Sequence, residues 1–191
     1  MAFHGKVALV TGGASGMGRV SALRLAAAGA QVAIFDMNEA ALAETAAQSP
    51  NIRAWRCNVA DWEEVQARVA DVERELGPID RLTHAAGIMP SHAAIDTSLE
   101  VARRLIEVNY YGTLHLIRAV VPGMLARNTG RIVVMGSMAD LHPIPGAVAY
   151  SASKGALHAL VKGIAAEIDR ARYLYVLVNE LTPGATRTAM S

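Results

Sequence analysis

Short aliphatic or β-branched runs alternate along this chain with longer, alanine-rich amphipathic segments, and no other feature constrains the fold as much. Strands that are apolar on both faces, each followed by a helical stretch, pack as a parallel sheet with helices on either side. The strand candidates are 6–11, 31–36, 52–57, 81–85, 131–136 and 175–181, and the intervening helices are 16–28, 39–48, 62–76, 99–126 and 147–171. Gly29, Ser49-Pro50-Asn51 and Gly77-Pro78 punctuate the first three helices. The expectation is an α/β chain with one Rossmann-type doubly wound sheet.

Composition narrows the class further. At 191 residues the chain suits one domain, 1–191, and a chain 52% hydrophobic and 18% charged is neither disordered nor a coiled coil. Eighteen basic residues are scattered among 17 acidic ones with a net charge of +1 and no basic tract, so nothing favours nucleic acid. Charged residues or glycine interrupt every apolar stretch before the ~20 residues needed to cross a bilayer. The N-terminal Met1-Ala-Phe-His-Gly-Lys6 lacks a secretory pattern, and the lone Cys57 has no internal partner for a disulfide. A cytoplasmic protein without membrane association is expected.

Thr11-Gly-Gly-Ala-Ser-Gly-Met-Gly18 follows a strand and opens a helix, the context a phosphate-binding glycine loop requires. Gly12, Gly16 and Gly18 allow a tight turn, close approach to a pyrophosphate and close helix packing, while Ser15 and Met17 lie between them. The helix N-terminus offers free N–H groups and partial positive charge. Without that placement the same glycines are an ordinary turn. Asp36 ends the next strand about 20 residues further on, where a carboxylate accepts from a ribose diol and repels a 2′-phosphate. No basic residue follows at Met37 or Asn38, so NAD is favoured over NADP; only Arg19 argues otherwise. Asp36 as a helix cap and Arg19 as a surface charge are the bland alternatives.

Tyr150 and Lys154 are spaced i, i+4 on a predicted helix and share a face. A neighbouring cation favours the phenolate, which lets a tyrosine exchange a proton with a carbinol or carbonyl oxygen while hydride passes to or from a nicotinamide. By itself the pair is an ordinary helix face. Ser137, thirteen residues before Tyr150, ends a strand at the carboxyl edge of the sheet, where ligands of such folds bind and a hydroxyl orients a substrate oxygen. The irregular stretch 138–146 borders this region, and Ser151 and Ser153 are read as packing or capping residues. No metal-binding residues are assigned.

Taken together, these motifs resemble the short-chain dehydrogenase/reductase family from Lys6 to Met190. Ala86-Gly87 after the fourth strand, Asn109 in Val108-Asn-Tyr-Tyr-Gly112, and Pro183-Gly184 with Thr188 extend the resemblance. It implies a catalytic set of Tyr150, Lys154, Ser137 and Asn109, with Asn109 positioning a water in a proton relay. It also implies that Asn58 and Val59 lie near adenine, that Ala86 and Gly87 lie near nicotinamide, and that Pro183, Gly184, Thr186 and Thr188 run along it. Read without the family, Asn109 bends a long helix and Pro183-Gly184 is a plain turn.

Three departures accompany the resemblance. Asn58 stands where the family commonly has an aspartate, and His84-Ala85-Ala86-Gly87 replaces Asn-Asn-Ala-Gly, His84 being read as a satisfied interior histidine. The family normally continues past the Pro-Gly motif, so the expectation is a sheet lacking the usual last strand and a sixth strand left as an edge. The stretch 169–176 is longer and more aromatic than the family's usual turn. The leading functional reading is an NAD-dependent oxidoreductase acting on a small secondary alcohol or ketone, as a homodimer or homotetramer. The alternative is a shortened dinucleotide-binding protein without turnover, acting through binding or assembly.

Overall fold

The computed structural model describes residues 6–168 and 172–184. Six strands, β1 (Val7–Thr11), β2 (Gln31–Asp36), β3 (Ile52–Arg56), β4 (Ile79–His84), β5 (Gly130–Met135) and β6 (Val176–Leu181), form one sheet in the order β3-β2-β1-β4-β5-β6. Every pairing is parallel. The order reverses between β1 and β4, so the doubly wound sheet has its ligand crevice at that switch point.

Side-chain alternation along β1 and β2 explains how both faces are covered. Val7, Leu9, Ala33 and Phe35 join one buried cluster with Val65, Val69 and Val72 of helix α3 (Trp62–Leu76). Helix α5 (Gly112–Ala126) adds Leu116 and Val120 to that cluster, and helix α6 (Val148–Glu167) adds Leu157 and Val161. The intervening Ala8, Val10, Val32 and Ile34 face the other way, onto Ala22 and Leu25 of α1 (Gly16–Ala27) and Leu42 of α2 (Glu39–Ala46). Among the described residues β6 lies at the edge of the sheet, and Leu181 at its end is half exposed.

The structure adjusts the expected boundaries at three places. β4 begins at Ile79, not Arg81, because the Asp80 carboxylate accepts from the Val7 N–H and the register with β1 shifts there; a charge at that position disguised the strand in the sequence. The expected helix 99–126 is two helices, α4 (Leu99–Ile106) and α5, joined by a π-helical turn at Glu107–Tyr111. The expected helix 147–171 is described as Val148–Glu167. Within 138–146 the chain makes a 3-10 turn at Met138–Asp140, and Ser151 Oγ accepts from Ile144 N at 3.2 Å, tying the loop to α6. Among the described residues, no helix is long and apolar enough to cross a membrane.

Candidate active site

Parallel strands bring all their carboxyl ends to one edge, so residues far apart in the chain meet there. Gly12 follows β1, Asp36 ends β2, Asn58 follows β3, Ala86 and Gly87 follow β4, Ser137 follows β5, and Pro183 and Gly184 follow β6. At the switch point Gly12 has φ +67°, and a Cβ there would lie 2.8 Å from the Ala85 carbonyl carbon and from Ala86 N. Only glycine lets the two loops approach so closely.

An open cleft of about 240 Å³ runs over this junction. Its walls include Gly12, Ser15, Met17, Gly18, Asp36, Asn58, Val59, Ala86 and Gly87, all singled out in the sequence, and also Phe35, Ile88 and Arg104, which were not. Ser15 precedes α1 without a side-chain cap bond, and the first turn of that helix, opened by Gly16, holds no acidic residue. Its N–H groups therefore keep their attraction for an anion. Asp36 accepts from Ala14 N at 3.1 Å, Met37 N at 2.8 Å and Asn38 N at 3.1 Å. It braces the glycine loop and does not cap α2, whose cap is Asn38, accepting from Ala41 N. Arg19 pairs with Glu44 on the surface at 3.8 Å. Burial pushes the Cys57 thiol up to about 12, so this part of the wall is uncharged.

Tyr150 and Lys154 lie on one face of α6 and are both buried, with the lysine Nζ 5.8 Å from the phenol ring centroid. Lys154 Nζ donates to Met135 O at 2.8 Å, where β5 ends. Burial pushes its ammonium down from 10.5 to about 8, against the opposing pull of the Glu180 and Asp140 carboxylates. Asn109 sits in the π-helical turn, buried, with its Oδ1 accepting from Ile88 N at 2.9 Å and its Nδ2 donating to Ile88 O at 3.0 Å. The same Nδ2 donates to Ser153 Oγ at 2.9 Å, and Ser153 Oγ donates to Tyr150 O at 2.7 Å. Ser153 thus joins two predicted site residues. Its position three residues after Tyr150 was the available signal, but its partner Asn109 is 44 residues away.

Gly87 links cleft and side-chain cluster: a Cβ there would lie 3.1 Å from Asn109 Oδ1 and 3.9 Å from Lys154 Nζ. Ser137 Oγ accepts from Ala139 N at 3.1 Å, which leaves its O–H free to donate. Ala139 in turn packs with Tyr150, so the Ser137 turn is held to α6. Pro183 and Gly184 sit in the loop after β6, with Pro183 O facing Met138 N at 3.5 Å; Thr186 and Thr188 lie outside the described residues.

His84 is buried as expected but only half satisfied. Its Nδ1 is hydrogen-bonded to Thr11 Oγ1 at 2.6 Å, and the same hydroxyl oxygen accepts from Ala86 N at 3.3 Å. Its Nε2 has no hydrogen-bond partner among the described residues. Burial, and secondarily the Lys154 charge, push this imidazole down from 6.5 to about 3, so it is neutral at physiological pH.

Comparison with known proteins shows the family and the fold. The family described as short chain dehydrogenase matches residues 6–191. A 2-dehydro-3-deoxy-L-rhamnonate dehydrogenase (NAD(+)) of Sphingomonas sp. (strain SKA58) is 36% identical over 182 residues, covering 95% of this chain and 72% of that protein. Among solved structures, an NAD+-bound xylitol dehydrogenase is 36% identical with a TM-score of 0.90, over 96% of this chain and 72% of that one. A short chain dehydrogenase/reductase from Burkholderia phymatum in complex with NAD is 30% identical with a TM-score of 0.94, over 100% of this chain and 69% of that one.

Proposed function

The chain belongs to the short chain dehydrogenase family, and from that premise we propose that it transfers a hydride between NAD and a small secondary alcohol or ketone, with Tyr150 as acid/base. The observation that carries this reading is the position of Gly87, lining the cleft on one side and bordering Asn109 and Lys154 on the other.

The residues at the cleft fit a dinucleotide. Gly12 lets the first loop pack against Ala85 and Ala86 beside the cleft, and the uncapped start of α1 attracts the charge of a pyrophosphate. Asp36 retains lone pairs for ribose hydroxyls, and the residues that follow it, Met37 and Asn38, offer no positive charge to a 2′-phosphate, which favours NAD. Asn58 Oδ1 accepts from Ala60 N at 3.2 Å, so the side-chain N–H groups of Asn58 are what remain for adenine, next to Val59. Pro183, Gly184, Thr186 and Thr188 complete the nicotinamide side of this reading.

The bound nicotinamide supplies the hydride donor or acceptor. In the oxidative direction Tyr150 Oη takes the proton of the substrate hydroxyl, and in the reductive direction it returns one to the carbonyl oxygen. The Ser137 hydroxyl donates to that same oxygen and steadies the charge developing on it. The Lys154 ammonium stabilises negative charge on the phenol oxygen and keeps N–H groups beyond the one given to Met135 O for a ribose hydroxyl. Asn109 holds the backbone at Ile88 and supports the proton relay beside the lysine.

The 1–191 span acts in this reading as one dinucleotide-binding domain, in the cytoplasm and as a homodimer or homotetramer. Exposed Leu99 and Tyr111, on and just after α4, supply apolar surface for a second copy. Replacing Tyr150 by Phe tests the central assignment: turnover of a panel of secondary alcohols and ketones, read at the reduced-nicotinamide absorbance, falls to background while NAD affinity by calorimetry stays close to wild type. Wild-type turnover in that variant refutes the role of Tyr150.

A further inference from the structure

Outside the cleft, three residues from three elements converge on one buried point. Asp140 ends the 3-10 turn that follows Ser137, His158 lies one helical turn beyond Lys154 on α6, and Glu180 lies on β6 opposite Val134. The side chains of Asp140 and Glu180 are 1% and 5% exposed. Glu180 occupies the space beside Gly136 that any Cβ there would fill. One ligand atom from each of the three residues can be chosen so that all lie within 4.8 Å of one another.

Hydrogen bonding does not account for this arrangement. His158 Nδ1 is 3.2 Å from Asp140 Oδ2 and 2.8 Å from Glu180 Oε2. Yet Nδ1 and all four carboxylate oxygens lack a hydrogen-bond partner among the described residues, because the ring N–H aligns with neither acid. Lys154, the nearby cation, gives its described hydrogen bond to Met135 O. Two buried carboxylates facing a single misaligned imidazole are a costly arrangement for a charge-paired core. A divalent cation, in contrast, draws on lone pairs from all three at once and neutralises both acids. Tetrahedral zinc, with bonds of about 2.0–2.2 Å to nitrogen and oxygen, places its ligand atoms roughly 3.3 Å apart, close to the two separations from His158. One imidazole and two carboxylates leave a fourth position for water.

We propose that Asp140, His158 and Glu180 form a binding site for one divalent transition-metal ion of the zinc class. The ion ties the turn that carries Ser137 to the helix that carries Tyr150 and Lys154 and to the last described strand, so its role is that of a clamp behind the site. The proposal stands on these three residues and holds whether or not Tyr150 is the acid/base.

The test uses the full chain, stripped with chelator and titrated with zinc by calorimetry, with metal content measured after gel filtration. One zinc per chain is expected, together with a higher melting temperature. His158→Gln and Glu180→Gln each weaken zinc binding at least about tenfold. Cobalt(II) loaded into the wild-type protein gives the intense visible bands of a low-coordinate nitrogen and oxygen site, a readout that does not depend on the variants folding. Absence of retained zinc overturns the proposal, as does equal affinity in folded variants, which reveals an adventitious ion on other histidines. A cobalt spectrum like that of the hydrated ion overturns it too.

Discussion

The side-chain amide of Asn109 clasps the backbone of Ile88 at both ends, accepting from its N–H at 2.9 Å and donating to its C=O at 3.0 Å. An amide is the one neutral side chain that offers acceptor and donor together at the spacing of a peptide group. The clasp fixes the chain just after Ala86 and Gly87, on the wall of the cleft, to the π-helical turn in which Asn109 sits. That turn aims Asn109 inward, and Thr113 Oγ1 steadies it by donating to Asn109 O at 3.0 Å.

Replacing Asn109 by Ala removes both partners of Ile88 and costs roughly 1–3 kcal/mol. Urea unfolding measures this. Asn109→Asp keeps the acceptor but turns a carboxylate toward Ile88 O, so it is at least as destabilising. Equal stability of wild type and Asn109→Ala would show that the clasp contributes nothing.

Ser153 is a positioning residue, passing the Asn109 contact to the Tyr150 carbonyl. Ser153→Ala lowers stability by about 1–2 kcal/mol and lowers kcat while leaving the KM for NAD near wild type. Ser153→Thr, which restores a hydroxyl, recovers part of kcat. A packing role alone would change stability and leave the kcat-to-KM balance untouched.

A methyl group at position 87 would sit 3.1 Å from Asn109 Oδ1, so Gly87→Ala pushes the amide aside by a few tenths of an ångström. The chain still folds, and kcat falls roughly tenfold. Stopped-flow turnover with a folded control by circular dichroism decides the point.

His84 makes stability depend on acid. The unfolded imidazole takes up a proton near 6.5 and the folded one only near 3, so its contribution is fully present above 6.5 and is lost as pH falls from there toward 3. Urea unfolding between pH 7 and 4 therefore shows wild type losing more stability than His84→Leu, by an amount on the order of a few kcal/mol. Parallel losses in the two proteins would contradict the neutral, buried histidine.

Asp36 makes three backbone contacts and, in the proposed function, is the residue that faces the cofactor's ribose. Asp36→Ala with Met37→Arg narrows the preference for NAD over NADP by at least about tenfold and lowers the melting temperature. Initial rates with both cofactors and a thermal melt read the two effects separately.

Much of this protein is set by features local in the chain. The period of its apolar residues specifies strands and helices, and the glycine loop between β1 and α1 and the i, i+4 spacing of Tyr150 and Lys154 mark the two halves of the candidate site, because backbone sterics and helix pitch act within a few residues. What each polar group bonds to was decided only by tertiary structure. The clasp of Asn109 on Ile88, its link to Ser153, the pairing of Thr11 with His84 and the meeting of Asp140, His158 and Glu180 join residues from 18 to 73 positions apart. Sheet register places Glu180 opposite Val134, and the shifted register at Asp80 moves the start of β4. Sequence spacing carries no record of such partners, since hydrogen bonds and burial act through distances that exist only once the sheet has closed and the helices have docked on it.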